Sequence, residues 1–130
     1  MIYEKLTLKE QGWAAETEKK IDEKLKAVRE RSEKKIPSEA KDGVHDDKKA
    51  MEGPSGMTRT FWTNGFWAGM LWQMYHATKD ERYAEIARYT ESVLNPCLLE
   101  IESHDIGYLW LPTSVLNYKI TGNEQAKADG

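Results

Sequence analysis

The sequence predicts an all-α fold built from antiparallel helical hairpins. The first observation is one stretch, Phe61 to Tyr75 (FWTNGFWAGMLWQMY), which holds six of the thirteen aromatic residues and only one strongly polar side chain, Gln73, after Phe66. The second is that apolar residues elsewhere recur at three- and four-residue spacing, with no convincing strand alternation. The third is that the breaks between helical patterns after Thr60 are short, and short connections favour antiparallel neighbours. No sheet is expected.

Taken in order, Thr7-Leu8-Lys9-Glu10 has the capping-box pattern of a hydroxyl followed three residues on by a carboxylate. A long helix should follow to about Ile36, stopped by Pro37. Its apolar stripe is thin: Trp13, Ala14, Ile21, Leu25, Val28 and Ile36. Glu16–Lys20, Asp22–Lys26 and Glu30–Lys34 are pairs in the better orientation, each worth about 0.2–0.5 kcal/mol. Ser38 to Thr60 reads as a long loop carrying Gly43, Gly53, Pro54 and Gly56. A loop of that length usually serves as a lid or binding segment, or stays disordered. His45 within it reads as a solvated histidine rather than a metal ligand.

The aromatic helix starts at Trp62-Thr63-Asn64-Gly65, with Thr63 or Asn64 as a cap that accepts from a backbone N–H. A helix apolar all round must be buried against several neighbours. Gly65 and Gly69, four apart on one face, let another backbone come close. Trp67 and Trp72 belong to the core, whereas Trp62 and Phe66 sit at the entrance, where rings can face a ligand. Thr78-Lys79-Asp80 is a polar break, and Asp80 can cap a helix from Glu81 with Tyr83, Ile86, Ala87, Val93 and Leu94 inward. Asn95-Pro96 interrupts it, because the residue before proline avoids the α region. A further turn follows over Cys97-Leu98-Leu99 and Ile101. Ser103-His104-Asp105 offers a cap for a helix running to Ile120, with Pro112 in its first turn or at a kink and Gly122 as its stop. Asn123-Glu124-Gln125-Ala126 opens one more helix just before the sequence ends.

One hundred and thirty residues fit one small domain. The net charge of −3, with no basic cluster interleaved with aromatics, argues against nucleic acid as a partner. Cys97 is the one cysteine and reads as a small buried apolar residue; with no His or Cys at ligand spacing, no metal or other cofactor is expected. Met1-Ile2-Tyr3-Glu4-Lys5 leads into charged sequence, so no secretory signal is expected. No apolar run reaches spanning length, so no membrane association and a cytoplasmic location are expected.

Three blocks carry a resemblance: Trp62-Thr63-Asn64-Gly65-Phe66-Trp67-Ala68-Gly69-Met70-Leu71-Trp72, then Asp80-Glu81-Arg82-Tyr83, then His104-Asp105-Ile106-Gly107-Tyr108. In order and spacing they are similar to the unsaturated glucuronyl hydrolases, glycoside hydrolase family 88. The related unsaturated rhamnogalacturonyl hydrolases, family 105, share that fold. The resemblance covers roughly 61–118, and it is weaker in the first helix. It implies an (α/α)6 barrel of six helical hairpins with the site at one end, of which residues 1–130 would be the N-terminal fragment of a single catalytic domain. It also implies the substrate: oligosaccharides left by polysaccharide lyases, ending in a 4,5-unsaturated uronic acid.

The implied reaction is hydration of that vinyl ether. A carboxylic acid protonates C4, an oxocarbenium-like centre develops at C5, water adds there, and the hemiketal opens to release the aglycone. This differs from displacement at the anomeric carbon between two carboxylates. By resemblance Asp105 is one of two essential aspartates, His104 lies beside the sugar, and Trp62 and Phe66 supply rings near its face. The family's principal acid/base falls beyond Gly130, so the chain alone is expected to be inactive. Asn64 stands where the family often has an aspartate, which leaves a side chain able to cap. From the residues alone, Asp105 reads first as a helix cap and His104 as a surface histidine; the resemblance moves both toward the site. The alternative reading is a non-catalytic helical module that binds sugar or self-associates through the unclosed faces of the barrel.

Overall fold

The computed structural model describes residues 6–37, 39–47, 59–97, 99 and 104–130. They fall in two compact units, Met1–Arg31 and Ser32–Gly130. Helix α1, Leu8–Arg29, makes up most of the first unit. Its start is the expected capping box: the Thr7 hydroxyl accepts from the Glu10 N–H, and the Glu10 carboxylate accepts from the Thr7 N–H at 2.8 Å. Lys20 pairs with Glu16 at 2.6 Å and Lys26 with Asp22 at 2.7 Å, while Glu30 meets Arg29 instead. The stripe is mostly solvated, with Trp13 69% exposed and Leu25 its buried member.

The expectation of helix as far as Ile36 is corrected. A 3-10 turn, Glu30–Ser32, ends the helical run. Ile36 is needed elsewhere: it is fully buried in a cluster with Leu94, Leu109 and Trp110, and the chain must leave the helix to deliver it.

The expectation of no sheet is also corrected. Strands β1, Glu39–Lys41, and β2, Val44–Asp46, pair antiparallel, with Glu39 opposite Asp46 and Lys41 opposite Val44. Asp42 (φ 51°) and Gly43 (φ 73°) both take positive φ, as the two-residue type I′ hairpin turn requires. His45 is therefore not a solvated loop residue. Its Nδ1 lies 2.8 Å from the Ser32 hydroxyl, and its ring stands edge-on to Trp67 at 5.4 Å. Of the loop expected over 38–60, positions 38 and 48–58 lie outside the described residues, as does most of the turn expected over 97–101.

A 3-10 turn, Trp62–Asn64, leads into α2, Gly65–Thr78. Neither Thr63 nor Asn64 caps it: Asn64 occupies the cap position without a side-chain cap bond, is buried, and donates to the Arg59 carbonyl at 3.0 Å. Trp67, Leu71, Trp72 and Met74 are buried, but Phe66 and Met70 are 40% and 47% exposed, so α2 is not covered all round. Asp80 caps α3, Glu81–Leu94, by accepting from the Arg82 N–H. Arg82 also forms an ion pair with Glu33.

Helices α2 and α3 are antiparallel. Tyr75 donates to Glu81 near the turn, and Trp72, about one helical turn earlier, donates to Glu91, further along α3. The 3-10 turn Asn95–Cys97 follows at the expected break, with Cys97 buried. The next rod is α4 (Gly107–Trp110), a π-helical turn (Leu111–Val115) and α5 (Leu116–Thr121), ended by Gly122 at φ 74°. Pro112 sits in the π turn, where its missing N–H breaks the regular ladder and the Thr113 hydroxyl donates to the Leu109 carbonyl. The short helix α6, Glu124–Asp129, is capped by Asn123 and tied to the end of α3 by the bond from Asn95 to Asp129, 2.8 Å.

The rod of 107–121 runs parallel to α2, as two successive antiparallel steps, α2 to α3 and α3 to the rod, require. A Cβ added at Gly65 would stand 2.7 Å from the Tyr108 carbonyl oxygen, and one at Gly69 would stand 2.7 Å from Pro112 Cβ. A four-residue step along α2 thus matches a four-residue step in the same direction along the rod. Hairpin α2–α3 returns the chain, and the rod then repeats the direction of α2.

Candidate functional site

Because α2 and the 107–121 rod are parallel and in register at Gly65, their starts lie at one end. Four rings gather there. Trp62 and Phe66 are 5.5 Å apart at 81°, and Tyr108 lies 5.9 Å from Trp62 and 6.5 Å from Phe66. Phe61 flanks Trp62 at 6.0 Å. Trp62, Phe66 and Tyr108 meet edge to face, which is the favourable quadrupole arrangement. The rings remain open to solvent: Trp62 is 38% exposed and Tyr108 54%.

The turn 104–106 leads into α4, and the Tyr108 N–H donates to the Asp105 carbonyl at 2.9 Å. Asp105 therefore stands one turn before Tyr108, and its carboxylate lies 3.5 Å from His104 Nε2. His104 is almost fully exposed, and Asp105 about one-third exposed. Ile106, the residue just before α4, already has helical backbone angles and makes no side-chain cap bond. At Gly107 a Cβ would meet nothing within 4 Å, and this leaves open space at the start of the rod.

Of the residues singled out in the sequence, Trp62 and Phe66 touch one another directly. His104 and Asp105 form a second pair, joined to the rings through the turn that ends at Tyr108. Open ring faces can receive the apolar face of a sugar, and a carboxylate beside an imidazole can hold or move a proton. The sequence reading assigns Tyr108 no ring role; an aromatic side chain one helical turn after Asp105 is the signal that marks it.

A second group missed by sequence reasoning is Glu91, buried on the inner face of α3. One carboxylate oxygen accepts from Trp72 Nε1 at 2.7 Å and the other from Asn117 Nδ2 at 2.7 Å. Burial pushes its carboxyl above the usual range, against the two bonds and the nearby Arg88, while Asp129 on α6 adds to the rise. The Arg88 guanidinium lies 5.6 Å from the Trp72 ring centre. The signal is spacing: position 91 follows Ala87 by four and precedes Leu94 by three, which puts it on the buried stripe. Among the described residues, no group of three or more His, Cys, Asp or Glu side chains could hold a metal ion, and no helix is long and apolar enough to cross a membrane.

The chain is similar to bacterial proteins named unsaturated chondroitin disaccharide hydrolase or unsaturated glucuronyl hydrolase. It is 36% identical over 74 residues to an unsaturated chondroitin disaccharide hydrolase of Streptococcus pneumoniae, a match covering 55% of this chain and 19% of that protein. It is 37% identical over 73 residues to the protein of that name in Streptococcus agalactiae, covering 54% and 18%. It is 37% identical over 71 residues to the unsaturated glucuronyl hydrolase of a Bacillus species, covering 52% and 19%. The similarity that the three motifs point to is therefore found, over about half of the chain, and the match spans about a fifth of these relatives. No family model and no solved structure matches the chain.

Proposed function

We propose that this chain forms part of an unsaturated uronyl hydrolase, contributing one side of the sugar site on a section of an (α/α)6 barrel. Its substrate would be an oligosaccharide ending in a 4,5-unsaturated uronic acid. Trp62, Phe66 and Tyr108 would lie against the sugar, His104 would contact it, and Asp105 would be one of the carboxylates that handle the proton during hydration of the C4=C5 bond. The observation that supports this reading is the exposed ring group at the shared end of two parallel helices, beside the His104–Asp105 pair.

The test has two arms. Titrating the 130-residue chain with an unsaturated glucuronyl disaccharide should quench its tryptophan fluorescence, and Trp62→Ala should abolish the change. Turnover, followed as loss of the unsaturated-uronate absorbance, should be undetectable for the chain alone. It should appear when the chain replaces the matching segment of a relative. In that chimera Asp105→Asn should keep the fold and reduce turnover roughly 10²–10⁴-fold, the usual share of general acid–base catalysis. Normal turnover by the Asn variant would remove Asp105 from the reaction.

A second reading, self-association, is favoured by one feature. Met70 and Leu111 continue the exposed face beyond Phe66 and Tyr108, at 47% and 62% exposure. Sedimentation of the chain across a concentration series separates the two readings, because the hydrolase reading requires no dimer.

A further inference from the structure

Three rods meet at Glu91, whose side chain bonds to both of the others. It comes from α3, its Oε1 takes the Trp72 indole N–H from α2, and its Oε2 takes the Asn117 amide from α5. On its other side the Asn117 amide meets the Thr121 hydroxyl, 2.9 Å from Oδ1 and 2.8 Å from the Asn117 carbonyl. The glycines at the other end permit close approach of α2 and the rod, but a smooth face does not select among registers. The carboxylate does: a slip of one residue, about 1.5 Å along a helix, would leave a buried N–H with no acceptor. Buried donors without partners are costly.

We propose that Glu91 is a positioning residue for the end of the molecule where the rings gather: by bridging Trp72 and Asn117 it sets the register of α2 against the 107–121 rod. What that end binds rests on the hydrolase reading; the register itself does not. A buried carboxyl is weak evidence for stability, since well-packed apolar groups of similar volume are often as stable. A residue kept there for geometry fits better than one kept for strength.

The experiment is aromatic and indole NMR on the ligand-free 130-residue chain. In the wild type, cross-peaks should join the Phe66 and Tyr108 rings and the Trp62 and Tyr108 rings, and the Trp72 indole N–H should exchange slowly. Glu91→Gln turns an NH₂ toward one of the two donors. It should stay helical yet lose the ring cross-peaks. The double variant Glu91→Gln with Asn117→Asp lets the new amide at position 91 donate to a new carboxylate at position 117, and it should restore them. A folded Glu91→Gln chain with unchanged cross-peaks would overturn the proposal, as would a folded double variant without them. Failure of both to fold would overturn it too, because the residue would then be needed for folding rather than for register. If the register behaves as expected but the wild type binds no unsaturated disaccharide, the hydrolase reading fails and this proposal stands.

Discussion

Two sets of rings on and beside α2 use the same kind of side chain in opposite ways. Trp67 and Trp72 are 3% and 0% exposed, Trp67 edge-on to the His45 ring and Trp72 bonded to Glu91 of α3. At the entrance of α2, Phe61, Trp62 and Phe66 are 53%, 38% and 40% exposed, and their rings lie against one another and Tyr108. The indole N–H of Trp72 is bonded to a buried carboxylate, so that ring is fixed by both packing and a hydrogen bond. The entrance rings keep far more of their surface in solvent than Trp67 and Trp72 do. These exposed rings are the ones that the proposed sugar site uses.

The strongest way to break that contrast is to remove one ring from each set. Trp72→Ala takes away a fully buried ring and one partner of Glu91, and should cost about 3–5 kcal/mol. Trp62→Ala should cost less, about 0.5–1.5 kcal/mol for its ring contacts, while removing the sugar-induced fluorescence change. Urea denaturation of both variants checks this, and equal losses would erase the difference between the sets.

The glycines offer the next test. Gly65→Ala drives a Cβ to 2.7 Å from the Tyr108 carbonyl and 2.8 Å from that of Leu109, so backbone must move. Overpacking of this kind costs about 1–3 kcal/mol. Gly107→Ala projects into open space and should leave stability within about 0.5 kcal/mol. Thermal melts of the pair separate the packed side of the entrance from its open side.

A smaller effect is expected from pH. Glu91 has its folded-state carboxyl raised above the unfolded value, mainly by burial. The folded state therefore binds the proton more tightly, and this residue favours folding most when it is protonated. Its contribution should decline as pH rises above about 4.3 and level off once the folded-state value is passed. Unfolding free energies across that range should fall more for the wild type than for Glu91→Gln; identical curves would show that burial does not dominate at this site.

The smallest effect lies at the start of α1. The Glu10 carboxyl is held below its usual range by the Thr7 hydroxyl and backbone N–H. Its contribution is present above the unfolded value and is lost as pH falls through the folded one. Thr7→Ala should fray the first turn at neutral pH and bring the Glu10 titration back toward the ordinary range, both readable by NMR.

What can be read in the chain is mainly local. The box at Thr7 and Glu10, the caps at Asp80 and Asn123, the stop at Gly122 and the break at Pro96 all depend on groups within a few residues of one another. Such bonds form wherever the residues occur in that order, so the order suffices to find them. The candidate site rests on the motif resemblance instead: from the residues alone Asp105 reads as a cap and His104 as a surface histidine. The hairpin turn at Asp42-Gly43 is also local, but its strands are short and solvated, so no apolar alternation marks them.

The rest depends on contacts between distant segments. Ile36 leaves its helix to join Leu94 and Leu109, and His45 meets Ser32 and Trp67. Glu91 is a charged residue on an apolar stripe, acceptable only because Trp72 and Asn117 arrive with donors. The parallel course of α2 and the 107–121 rod likewise follows from where α3 turns the chain back and from which faces lack a Cβ. Composition and spacing determined that these segments are helical and which residues cap them. Only the packing of one segment on another decided which end holds the rings, because the bonds at Glu91 and the close approach at Gly65 and Gly69 join residues far apart in the chain.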